Sequence, residues 1–101
     1  VSTLKRLPAY PEIATVAESG YPGFEASNWH GLVAPARTPP EIIATLNAAV
    51  VSGLKRPEIA GRVRELGYAI VAGTPAEFAE FIRTDIEKWR RIVQDKNLSA
   101  E

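Results

Sequence analysis

Cysteine is absent from the 101 residues. That removes disulfides, thiolate metal sites and thiol nucleophiles together, while leaving the compartment open. Histidine occurs once, as His30, and one imidazole builds neither a zinc site nor a catalytic triad without convergent partners. A structural or partly exposed histidine beside Trp29 is the plain expectation. Gly20, Gly23 and Gly31 are separated by turn and strand-forming residues and open no helix, so a phosphate-cradling loop is missing. Net charge is missing as well: 12 Lys and Arg offset 12 Asp and Glu, leaving no field to draw nucleic acid or an anionic membrane. No apolar run approaches the ~20 residues that span a bilayer, and the first residues lack the basic-then-apolar pattern of a signal peptide. A soluble chain without cofactor, metal or catalytic constellation is expected. With 46% apolar residues it has material for one modest core and no more than one domain.

What is present is organised in two parts. Six of the eight prolines (Pro8, Pro11, Pro22, Pro35, Pro39 and Pro40) lie in the first forty residues. There Thr15-Val16-Ala17-Glu18 matches a capping box, and Gly20 stops the short helix it would open. Tyr21-Pro22-Gly23 reads as a turn, and the bulky Trp29, Leu32 and Val33 predict a strand over residues 27–34. From Thr38 onward helical punctuation takes over. Thr38-Pro39-Pro40-Glu41 matches a second capping box, followed by an apolar stripe of Ile42, Ile43, Leu46, Val50 and Leu54. Pro57 opens a short helix that carries Ile59, Val63 and Leu66 and ends at Gly67. Residues 68–72, apolar and bounded by Gly67 and Gly73, predict a short buried strand. Thr74-Pro75-Ala76-Glu77 then opens the longest helix, about residues 75–96, with Phe78, Phe81, Ile82, Ile86, Trp89, Ile92 and Val93 on one face. Glu80 with Arg83 and Glu87 with Arg91 have pairing distance on its other face. Two isolated strands do not make a stable sheet. Either the helices bundle or the missing strands come from elsewhere, and the second is the expectation.

Other chemistry is weak. Lys88-Trp89-Arg90-Arg91 has the composition of a nucleic-acid patch, but helical spacing turns Trp89 inward and acidic residues interleave with the basic ones, so a solvated face is expected and nucleic acid is not. Carboxylate pairs fall on exposed faces or in capping boxes. Asn97-Leu98-Ser99 matches a glycosylation acceptor, a pattern common by chance.

The order of segments resembles the C-terminal third of the Bug or TctC-like extracytoplasmic solute receptors of tripartite tricarboxylate transporters. It is carried by residues 6–24 (Arg6-Leu7-Pro8-Ala9-Tyr10-Pro11 through Gly20-Tyr21-Pro22-Gly23-Phe24) and by Trp29-His30-Gly31-Leu32-Val33-Ala34-Pro35. Thr38-Pro39 leading to Leu46-Asn47, Gly73-Thr74-Pro75-Ala76-Glu77-Phe78 and Ile86-Glu87-Lys88-Trp89 complete it. Two positions depart from the family pattern: Ala14 stands where proline is common, and Arg56 stands where an acidic cap is common.

The resemblance implies an α/β fold, the C-terminal portion of a type II periplasmic-binding-protein (Venus-flytrap) fold, mostly helical here with about two short strands. Residues 1–26 would end the second lobe, 27–37 would form the interdomain crossover, and 38–101 would complete the first lobe. The implied function is capture of a small carboxylated solute in the periplasm and its delivery to the membrane subunits of a secondary transporter, without catalysis. Asn28 and His30, flanking Trp29, are the candidate ligand-binding residues at the hinge or cleft, since neighbours in extended chain alternate sides. Most of the pocket would lie outside this sequence. An autonomous helical interaction module sharing the ancestry is the alternative. Helix stripes with no sheet to cover predict that the isolated chain self-associates.

Overall fold

Prolines begin all three helices of the computed structural model, which describes residues 1–99: α1 spans Pro40–Leu54, α2 Pro57–Glu65 and α3 Pro75–Asp95. Proline suits the first helical position because its fixed φ is already helical and its missing N–H would have no partner there.

The capping box of α3 forms as its sequence predicts. Thr74 Oγ1 accepts from Glu77 N–H at 3.2 Å, and Glu77 Oε2 accepts from Thr74 N–H at 2.7 Å. The box expected at Thr38 does not form. Pro40 disfavours a helical conformation for the residue before it, so Pro39 becomes the N-cap at φ −55°, ψ 141° with no side-chain cap, and Thr38 N–H bonds Pro35 O in a turn at 3.0 Å. Arg56 likewise caps α2 without a side-chain hydrogen bond. Gly67, at φ 82°, closes α2 in a left-handed terminator: its N–H reaches Arg64 O at 2.9 Å and Tyr68 N–H reaches Val63 O at 3.1 Å. Asn97, at φ 49°, closes α3 the same way, which gives the Asn97-Leu98-Ser99 triplet a structural job.

Further expectations need correction. The Thr15 box is present, with Glu18 N–H on Thr15 Oγ1 at 3.1 Å and Thr15 N–H on Glu18 Oε2 at 2.8 Å, but residues 16–20 form turns and no α-helix. Neither expected strand forms among the described residues. Residues 27–34 are extended but make no backbone–backbone hydrogen bond, because no neighbouring strand lies alongside. Residues 68–72 are interrupted by Ala72, whose left-handed φ of 49° turns the chain. Finally, Glu87 pairs with Arg83 at 3.0 Å, where Arg91 was expected; Arg83 also holds Glu80 at 2.5 Å.

α1 is the central element and touches both α2 and α3. Almost nothing is enclosed: only Ala60 and Thr15 are buried among the described residues. The surface of 8576 Å² exceeds by about 3,000 Å² the ~5,600 Å² of a compact monomer of 11.0 kDa. The radius of gyration, 16.8 Å, likewise exceeds the ~13 Å of a compact chain of this length. Trp89, placed inward by its spacing, is half exposed because no element covers that end of α3. No helix among the described residues is long and apolar enough to cross a membrane. The expected final segment, 38–101, runs two residues past the described ones.

Candidate functional site

The extended segment is strapped along one face of α3. Lys88 Nζ donates to Glu25 O. Four residues on, the Trp29 indole N–H donates to Asp85 Oδ2 at 3.0 Å, and the indole meets Phe81 and Phe78 edge-on at centroid distances of 5.6 and 5.5 Å. Gly31 then lies directly against the Phe78 ring. Residues 78, 81, 85 and 88 recur at helical spacing, so the segment runs antiparallel to α3 on a single stripe. Edge-to-face aromatic pairs contribute about 0.5–1.5 kcal/mol each beyond their area, and Trp29 makes two.

His30 turns to the other side, as alternation requires. Its Nε2 lies 3.3 Å from Tyr68 Oη, and the rings meet edge-on at 5.2 Å. That contact ties this segment to the chain leaving α2. Asn28 is exposed, and the His30 imidazole meets Tyr68 and not Asn28. The loop before α3 is tied to α1 by Asn47 Nδ2, which donates to Gly73 O at 3.0 Å.

Between these ties opens a groove of about 520 Å³, floored by α1 and the start of α3 and rimmed by residues 29–34 and 71–75. Its lining is overwhelmingly apolar, and among the lining side chains only the His30 imidazole and the Glu77 carboxyl are ionisable groups. Glu77 is already committed: the Thr74 N–H, then the Thr74 hydroxyl, hold its carboxyl below the ordinary value of 4.5. No group of three potential metal ligands gathers among the described residues. Such a wall can bury apolar matter but offers few fixed polar groups to orient a solute. The sequence missed the groove as a unit, along with the roles of Asp85, Tyr68 and Asn47. One signal for Asp85 was available: an acid on the same stripe as Phe78 and Phe81 needs a donor.

Comparison with known proteins places this geometry. A family model described as the receptor of the tripartite tricarboxylate transporter family matches residues 1–98. A UPF0065 protein encoded in the tcbD-tcbE intergenic region of a Pseudomonas species is 33% identical over 101 residues, covering 99% of this chain and 30% of the relative. The periplasmic binding protein BugD superposes with a TM-score of 0.85 at 28% identity, over 99% of this chain and 34% of its own. A structure described as R. palustris Rpa4515 with adipate superposes with a TM-score of 0.80 at 31% identity, over 92% of this chain and 31% of its own. The chain thus spans about a third of these relatives. The expected fold class, a mostly helical portion of an α/β periplasmic-binding-protein fold, holds.

Proposed function

The chain belongs to the tripartite tricarboxylate transporter receptor family, and from that premise we propose that it forms part of a periplasmic receptor that captures a small carboxylated solute for the membrane subunits of a secondary transporter. The observation that carries this reading is the superposition of nearly the whole chain on two solved receptor structures, one of them described with adipate. The chemistry is binding: the groove's apolar lining suits enclosure more than transformation of a ligand.

Within that receptor, residues 1–26 end the second lobe, 27–37 cross over, and the helices from residue 38 complete the first lobe. Internal ties favour this division. Val16 N–H bonds Val1 O at 2.9 Å, Ala26 N–H bonds Ser2 O at 2.9 Å, and Arg6 Nε pairs with Glu18 at 2.9 Å, so residues 1–26 are tied to one another, with Glu25 O at their end also reaching Lys88 of α3. Residues 27–34 hold to α3. Asn28 and His30, at the junction of the two groups, stand at the hinge or the rim of the cleft. Their amide and imidazole suit a carboxylate that leaves the lobes' main polar contacts elsewhere.

The test is calorimetric titration with adipate, a tricarboxylate and an uncharged diamide, on two proteins: the 101-residue chain alone, and a receptor in which these residues form the C-terminal third. Carboxylate binding by the longer protein alone is expected, because one wall does not enclose a ligand. A micromolar site on the monomeric 101-residue chain would place the pocket within it and sink the two-lobe reading. A longer protein that ignores every carboxylate would sink the receptor reading itself.

A further inference from the structure

We propose that Lys88 is a positioning residue of the receptor: it pins the end of residues 1–26 to α3, leaves Ser27 and Asn28 as the pivot between the lobes, and so readies the free receptor for its ligand. This rests on the division into lobes proposed above and adds to it a residue that does not line the groove.

The chain is held on either side of that pivot. Before it, Ala26 N–H bonds Ser2 O at 2.9 Å, and Glu25 O accepts from Lys88 Nζ. After it, the Trp29 indole N–H bonds Asp85 Oδ2 at 3.0 Å and the indole meets Phe78 and Phe81. Ser27 and Asn28 lie between, both exposed, and no backbone–backbone hydrogen bond among the described residues involves either. Their four backbone angles are enough for a hinge. The Ala26 bond stays within residues 1–26, and the Trp29 contacts stay with α3. Among the described residues, the Lys88 bond is the one hydrogen bond that joins residues 1–26 to α3.

A lysine suits this place. Asp85 and Lys88 are about 4.5 Å apart along the helix, whereas the chain from Trp29 back to Glu25 covers up to about 13 Å. A long side chain makes up the difference. Lys88 is partly buried, so its stem lies against protein while the ammonium reaches out. That ammonium also lies 5.3 Å from the centre of the Trp89 ring, an attraction that narrows its sweep.

The consequence is preorganisation. A receptor whose lobes swing freely must order them on binding, and its affinity falls by the fraction of molecules already in the competent arrangement. Residues 1–26 and α3 superpose together on a solved receptor, so the arrangement that Lys88 pins is one that a receptor adopts.

The test titrates adipate and a tricarboxylate by calorimetry into a receptor carrying these residues. It compares wild type with Lys88→Met, which keeps the apolar stem and loses the donor, and with Lys88→Arg, which restores a donor. Lys88→Met should weaken binding at least about fivefold, with the melting temperature within about 2 °C of wild type. Small-angle scattering of the free Lys88→Met receptor should give a larger radius of gyration. Lys88→Arg should recover most of the affinity, and Arg90→Met, which removes a charge from the opposite side of α3, should leave it unchanged. Unchanged or tighter binding by Lys88→Met overturns the proposal. So does an equal loss in Arg90→Met, or a loss that follows the melting temperature down and is not recovered by arginine. A wild-type receptor that binds no carboxylate defeats the receptor reading instead, and scattering then decides on the pin: a free Lys88→Met protein no wider than wild type overturns it.

Discussion

Gly31 offers the sharpest quantitative test of how residues 25–31 are held against α3. A Cβ built there lies 2.2 Å from Cζ of Phe78, 2.7 Å from Cε1 and 3.0 Å from Cε2, whereas carbon atoms rest at about 3.5–4.0 Å. The obstacle is the outer end of a ring that also meets Trp29 in a T-shaped contact. Gly31→Ala must therefore swing Phe78 off Trp29 or lift the segment around Gly31 from α3. Overpacking costs about 1–3 kcal/mol in a filled core, and Phe78 is only half-buried and can yield toward solvent, so about 1–2 kcal/mol is expected. At ~4–8 °C per kcal/mol for a chain of this size, the melting temperature should fall by about 5–15 °C. Circular dichroism at fixed protein concentration reads that change, and tryptophan emission reports whether the indole has been exposed. The same substitution in a Phe78→Leu background should cost under about 0.5 kcal/mol, because the obstructing ring is gone. An equal loss in both backgrounds, or no loss in either, would refute the strap between Gly31 and Phe78.

Trp29→Ala should cost about 2–3 kcal/mol in chemical denaturation, below the ~3–5 kcal/mol of a fully buried tryptophan, because 42% of the residue is exposed; Trp29→Phe, losing mainly the bond to Asp85, should cost about 1 kcal/mol. Thr74→Ala should remove the capping box of α3 and cost about 1 kcal/mol by thermal melting. Because the folded-state pKa values of Glu77 and Glu18 are depressed, by Thr74 and by Arg6 respectively, their contribution is complete above the ordinary value of 4.5 and fades as pH falls from there through the folded values. An acid titration of wild type should show that loss, and Thr74→Ala should show less of it. In a receptor carrying these residues, His30→Ala should lower carboxylate affinity with little change in melting temperature; unchanged affinity would assign His30 to hinge support alone.

The parts of the fold written as local chemistry were legible. Pro40, Pro57 and Pro75 opened helices, Gly67 ended one, and Thr74 with Glu77 formed the box their spacing describes. Each depends on backbone groups within a few residues, so the sequence window contains every partner. Thr38 failed for an equally local reason, the restriction that Pro40 imposes on Pro39, which takes precedence over the pull of a hydroxyl cap. Asp85 and Tyr68 were not legible as partners of Trp29 and His30, since those contacts join positions 56 and 38 residues apart and no periodicity encodes which acid or phenol arrives there.

Strands and apolar stripes carry a different lesson. Alternation and helical spacing state that a face is to be covered, but they do not name the cover. Residues 27–34 have the composition of a strand and the extended backbone of one, yet a strand exists only as half of a pair. Leu46 on α1 and Ile86 on α3 follow core spacing and remain half exposed. The sequence pattern and the open structure agree once both are taken to describe surfaces that await a cover. Hydrogen exchange along α3 tests this: in a receptor carrying these residues, protection should extend along α3 through Ile86 and Trp89, which are 51% and 43% exposed here, because amides under a covered face exchange only through larger openings. Equal exchange of those amides in the 101-residue chain and in the receptor would refute the reading, since the stripe would then stay open in both.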